Sequence, residues 1–186
     1  MPRPPPVPPP RTFESLLREG RFEEAIRESE SGVRLAPGDP AAWARLATSL
    51  SAARRLEPSL DAWDRALGLA AGSPDLLCGK GGVLQARGRV REAAALYRQA
   101  LAREPGRFDA AFNLALLAVE AGDWAAADAA LSPLQPLRES MPGVRWLTAR
   151  LAVGRGDAAA ARAELSGLVG HPGLAPLQQA DAWMLL

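Results

Sequence analysis

The sequence predicts an all-α fold, a stack of antiparallel helix hairpins, and three observations carry that reading. The first is the run Gly88 to Pro105, GRVREAAALYRQALAREP, in which Ala93, Tyr97, Ala100 and Leu101 fall at i, i+4, i+7 and i+8 and therefore share one stripe of an α-helix. That stripe alternates small and large side chains, so a neighbouring backbone can come close while the ring fills the space between turns. The second is recurrence: Gly20, Gly88, Gly122 and Gly156 each open a similar run on a 34-residue step, with Arg54 at the remaining position. The third is a further helical pattern before each turn, clearest in Ala42, Trp43, Leu46, Ala47 and Leu50 and matched by Ala111, Leu114, Ala115 and Ala118. Each copy is thus a helix pair, and one pair cannot bury its own stripe without a neighbour.

The register holds along the chain. Five residues after each turn position stand Ala25, Ser59, Ala93, Ala127 and Ala161, and four residues further on stand Trp63, Tyr97, Leu131 and Leu165 from the second copy onward. Spacing, glycines and prolines together predict helices over 12–19, 22–35, 40–53, 58–70, 74–87, 90–103, 108–121, 124–134, 142–154, 157–169 and from 176 to the end. The turn Arg54-Arg55-Leu56-Glu57 lacks glycine, so it either holds a non-glycine residue in the left-handed region, at about 1–2 kcal/mol, or takes another form. Pro58 suits a first helical turn, whereas Pro133 and Pro136 should cut the second helix of the fourth copy short and leave a longer connection. The first eleven residues, MPRPPPVPPPR, hold seven prolines and form no helix; an extended polyproline II tail is expected, read as a linker in preference to a ligand motif.

Composition narrows the function classes. Aromatic residues make up 5% of a chain that is 48% hydrophobic, and alanine fills the difference, as close helix packing requires. The 22 basic and 21 acidic residues nearly cancel, so no general attraction to nucleic acid is expected. Cys78 and His171 each lack a second residue of their kind, which argues against a disulfide, a cysteine-based zinc site or a catalytic triad. Cys78 reads as a packing residue. No segment is apolar for long enough to span a membrane and the N-terminus has no signal-peptide pattern, so a cytoplasmic location is the default expectation. Gly79, Gly81 and Gly82 lie inside an opening helix and read as close-packing positions, not as a phosphate loop. No catalytic constellation and no cofactor motif emerges, and the chain is read as non-enzymatic.

The 34-residue unit, with Gly81, Leu84, Ala93, Tyr97, Ala100 and Pro105 in its third copy and Trp43, Leu46, Ala47, Leu50, Trp63 and Ala66 in its second, resembles the tetratricopeptide repeat. Departures are Lys80 in place of leucine, Arg54 and Ser59 in the second copy, and a weak opening helix in the fifth. The resemblance covers residues 12–186 and implies a right-handed α-solenoid, a superhelix of repeats over about 12–39, 40–73, 74–107, 108–141 and 142–179 with a partial sixth at 180–186. Because the stack is continuous, no domain boundary is expected inside it.

Such a solenoid lines its concave side with the opening helices. Carried over by position, the groove would present Ala41, Arg45 and Thr48, then Asp75, Cys78, Gly79, Gly82 and Gln85, then Asp109, Phe112, Asn113, Leu116 and Val119, and finally Trp146, Leu147, Arg150 and Val153. Among these, Phe112, Asn113, Leu116, Val119, Trp146, Leu147, Arg150 and Gln85 form the candidate peptide-binding site, with an apolar wall edged by Asn113 and Arg150. The lysine–asparagine–arginine clamp that some relatives use for chaperone tails keeps only Asn113 here, and Asp75 and Asp109 would repel a terminal carboxylate.

Two functions follow as expectations: an interaction scaffold that takes a peptide or helix of a protein partner in this groove, or the recruiting portion of a larger enzyme or assembly factor. The final residues Trp183, Met184, Leu185 and Leu186 are all apolar, where a solenoid ordinarily ends in a polar cap. That leaves three readings: continuation into further sequence, a homodimer through the C-terminal helix, or a cap whose apolar face is fully used.

Overall fold

A computed structural model describes residues 12–168, 170, 171 and 173; the proline-rich tail and the helix expected from 176, with the partial sixth copy, lie outside the described residues. The described chain is all-α. Where one continuous stack is expected from the sequence, the contacts gather into two compact units, Met1–Gly88 and Arg89–Leu186.

The first unit carries α1 (Phe13–Arg18), α2 (Phe22–Leu35), α3 (Pro40–Ala52), α4 (Leu56–Leu69) and α5 (Pro74–Ala86), each packed on the next. The second carries α6 (Val90–Arg103), α7 (Phe108–Glu120), α8 (Trp124–Leu131), a 3-10 helix (Ser132–Leu137), α9 (Pro142–Gly154) and α10 (Ala158–Ser166). The 34-residue register is kept in the backbone: α3, α5, α7 and α9 are each 13 residues long and begin at positions 40, 74, 108 and 142. Three of them start on proline, which loses nothing at a position whose N–H has no helical acceptor. The following helices α2, α4 and α6 are each 14 residues long.

The hairpin turn repeats as closely. Residues 20, 54, 88, 122 and 156 all take positive φ, between 62° and 77°. After four of them the next N–H reaches back five residues, from Arg21 to Leu16, Arg55 to Leu50, Asp123 to Ala118 and Asp157 to Ala152, at 2.8–2.9 Å. This is the Schellman closure, which satisfies helix-end carbonyls and reverses the chain. Arg54, with φ 62°, is the one non-glycine residue in this region among those described, so the turn keeps its form and the strain stays. The fourth closing helix differs, as its prolines predict: α8 stops at Leu131 after eight residues and the chain tightens into the 3-10 turn that carries Pro133 and Pro136.

Departures from the repeat pattern have local compensations. Ser59 replaces the close-packing alanine, is fully buried, and donates its hydroxyl to the Ala47 carbonyl of α3 at 2.7 Å. Ser29 stands where later copies have a ring or leucine; it donates to the Ala25 carbonyl and lies 3.0 Å from the Ser49 hydroxyl, so a small buried polar pair replaces a large apolar side chain. Lys80, in place of leucine, pairs with Asp64 of α4. In the second unit Glu164 of α10 joins Arg138, after the 3-10 turn, at 3.1 Å and Arg145 of α9 at 3.0 Å, tying the irregular connection to the last hairpin.

Two glycines mark close approach and not flexibility. A methyl group on Gly79 would overlap the Trp63 ring, and one on Gly154 would overlap the Trp124 ring. Gly68, on the exposed side of α4, has open space beside it. Gly79→Ala should therefore lower stability by about 1–3 kcal/mol through overpacking, although alanine is about 1 kcal/mol the better helix former. Gly68→Ala should show the reverse sign. Urea unfolding of the two variants checks this, and a gain for Gly79→Ala would mean that the Trp63 ring moves aside freely. In the same assay Arg54→Gly should gain about 1 kcal/mol, the left-handed strain released less the extra freedom of glycine in the unfolded chain.

Candidate functional site

The eight expected groove residues do not form one set. Gln85, half-buried near the end of α5, belongs to the first unit, while Phe112, Asn113, Leu116, Val119, Trp146, Leu147 and Arg150 belong to the second. Within the second unit they divide again by burial. Val119, Trp146 and Leu147 are 2%, 6% and 0% exposed and sit in the hydrophobic core with Ala115, Leu131 and Leu151. This corrects their expected place in the groove wall. The 3.6-residue period puts Trp146 on the same side of its helix as Phe112, yet it cannot tell which neighbours cover that side.

What remains at the surface is a stripe on α7. Phe112, Asn113 and Leu116 are partly exposed, whereas Ala111, Ala115 and Leu117 beside them are buried. Phe112 stacks on Phe108 with ring centroids 5.6 Å apart, and Gly143 at the start of α9 leaves room for its ring. Asn113 makes no side-chain hydrogen bond to any described residue, so its amide can offer both a donor and an acceptor. From α9, Arg150 lays its guanidinium 5.4 Å from the centre of the Trp146 ring, a cation–π arrangement that places charge over the buried indole. Asp109 is already engaged: Arg107 donates to it at 2.8 and 3.2 Å.

The corresponding positions of the first unit give a different surface. Ala41, Arg45 and Thr48 of α3 are exposed, Arg45 stacks over the Phe13 ring at 5.8 Å, and Thr48 bonds back to its own helix. Cys78 is buried, and Gly79 lies under Trp63 and not in a groove. Gly82 is exposed, as is Val153 of α9 in the second unit. Among the described residues no group of histidine, cysteine and carboxylate side chains could hold a metal, and no helix is long and apolar enough to cross a membrane.

A family model described as "Tetratricopeptide repeat" matches residues 11–74 and 79–137. The chain belongs to the tetratricopeptide repeat family. The matched segments take in the first four copies, and the fifth follows in the same backbone register. A search of curated protein sequences finds no match. Solved structures share the fold. Pseudomonas aeruginosa PilF aligns at 20% identity with a TM-score of 0.80, covering 93% of this chain and 77% of that one. PilW, titled a widely conserved type IV pilus biogenesis factor, aligns at 19% identity with a TM-score of 0.78, covering 93% and 79%. MamA from Desulfovibrio magneticus RS-1 aligns at 18% identity with a TM-score of 0.72, covering 84% and 88%. Each of these likenesses is one of fold alone.

Tetratricopeptide repeats reuse one backbone with varied surface residues, so the discriminating observation here is burial. Trp146→Ala should act on folding, costing about 3–5 kcal/mol as a core truncation, while Asn113→Ala should leave the unfolding midpoint within about 0.5 kcal/mol of the parent. Chemical denaturation of both variants separates the two roles. A Trp146→Ala variant as stable as the parent would return that ring to the surface.

Proposed function

We propose that this chain is a non-catalytic scaffold that binds a peptide or short helix of a protein partner along the opening-helix face of its second unit. The repeat family and its structural neighbours support a protein–protein interaction role. The α7 stripe supports the finer reading: a partly exposed aromatic ring and leucine flank an amide that has no partner among the described residues. Phe112 and Leu116 supply apolar contact for a partner side chain, and Asn113 can hold the partner's backbone through one donor and one acceptor. Arg150 adds positive charge at the α9 side. Apolar anchors ringed by polar groups are the usual economy of such interfaces, and a buried aromatic contact commonly dominates them.

The experiment is affinity capture with the full chain beside a Phe112→Ala/Leu116→Ala variant, with captured proteins quantified by mass spectrometry and folding checked by circular dichroism. Partners of this face should drop by about tenfold or more, the hot-spot scale, with helicity kept. A capture profile identical for the two chains would remove binding from this face.

A further inference from the structure

On α7 the residues opposite the Phe112 stripe are not fully covered either. At about 100° per residue, Leu114, Ala118 and Ala121 point away from Phe112 and Leu116, and there they floor a cavity of about 690 Å³ between α6 and α8. Both α6 and α8 pack on α7, and the cavity runs between them. The α8 wall is made of Ala126, Ala129, Ala130 and Pro133, at i, i+3, i+4 and i+7, so a visiting backbone can come close along its length. The α6 wall is made of Arg91, Ala94, Arg98 and Leu101, at i, i+3, i+7 and i+10 on one face of that helix.

The charge of the groove decides its occupant. Arg91 and Arg98 are exposed and form no ion pair or hydrogen bond with any described residue. The one acid in the lining, Asp123, already accepts from the Ala126 amide at 3.0 Å as the cap of α8. The available charge is therefore two guanidinium groups, seven residues or about 10 Å apart along α6. No aromatic ring lines the groove, and aromatic walls are what proline-rich segments dock on. We infer that this groove takes an amphipathic helix of a protein partner, laid along α6, whose apolar stripe meets Leu101 and Leu114 and whose carboxylates, two turns apart, meet Arg91 and Arg98. A helix in that place turns an open pair over α7 into a closed bundle, with the small α8 residues setting a close interhelical distance. The site is independent of the Phe112 face, so either can stand without the other.

The test uses the full chain and a fluorescein-labelled designed helix of roughly 18 residues, with leucines at helical spacing and two glutamates seven residues apart, beside a copy in which lysines replace the glutamates. Fluorescence anisotropy should show the glutamate helix binding about tenfold or more tighter than the lysine helix. Arg91→Glu/Arg98→Glu should reverse that order, and Phe112→Ala/Leu116→Ala should leave it unchanged. Amide shift changes in NMR spectra should centre on Arg91, Ala94, Ala126 and Ala129. Equal affinity for the two helices, no binding of either, or loss of binding in the Phe112 variant would overturn the inference. So would preferential seating of a peptide copy of residues 1–11, or self-association of the chain that the double arginine variant abolishes, since either assigns the groove to a different occupant.

Discussion

An α-helix whose buried stripe is mostly alanine gains little until another helix comes close enough to touch its backbone, and close approach is the constraint on which this structure depends. The left-handed residue at positions 20, 54, 88, 122 and 156 enforces it locally. By sending the next N–H five residues back, it reverses the chain within a few residues and lays the closing helix against the opening one. Alanines at 25, 93, 127 and 161 are then 3% exposed or less. Where the alanine is replaced, the same closeness places the Ser59 hydroxyl against a backbone carbonyl that a bulkier residue would push away. The turn and the small residue work together: one brings the helices near, the other lets them stay.

Large residues then fill what the small ones leave. Tyr97, Leu131 and Leu165 are completely buried, and the Trp63 ring packs against Gly79, where only a glycine allows it. Trp63 accepts a cost for that place, since its indole N–H is buried without a partner among the described residues. The ring's packing must outweigh one unmade hydrogen bond, worth roughly 1–3 kcal/mol. In the first copy the corresponding position is Ser29 and the space is smaller, closed by a hydroxyl pair with Ser49. Variation in one register position thus changes what each hairpin encloses without changing the backbone that encloses it.

The surfaces follow from the same division. On α7 the alanines and Leu117 are committed to the core, which leaves Phe112, Asn113 and Leu116 on one side and Leu114 on the other in partial contact with solvent. The short α8, ended by Pro133 and followed by a 3-10 turn, presents alanine where a longer helix with larger side chains would fill the gap beside α6. Glu164, held by Arg138 and Arg145, returns the chain from that irregular connection to the register of α9 and α10. The interruption thus lies at one end of the cavity, where Pro133 joins its lining.

The sequence by itself determined the helix pairs, their 34-residue period, the turn positions and the shortened fourth closing helix, because each rests on interactions within a few residues of the chain: hydrogen bonds of four or five residues' reach, the missing N–H of proline, the left-handed freedom of glycine. At Arg54 the register left two options, a strained left-handed residue or a turn of another form, and the structure takes the first. Tertiary structure alone decided which apolar residues face the core and which stay partly exposed. Phe112 and Trp146 hold the same register position 34 residues apart, yet one is partly exposed and the other nearly sealed, because burial depends on which neighbouring helices arrive and not on periodicity along one helix. The groove beside α6 escaped sequence reading for a like reason. Its walls are alanine and arginine, residues that carry no binding pattern of their own, and only the spacing of two helices over a third makes a cavity between them.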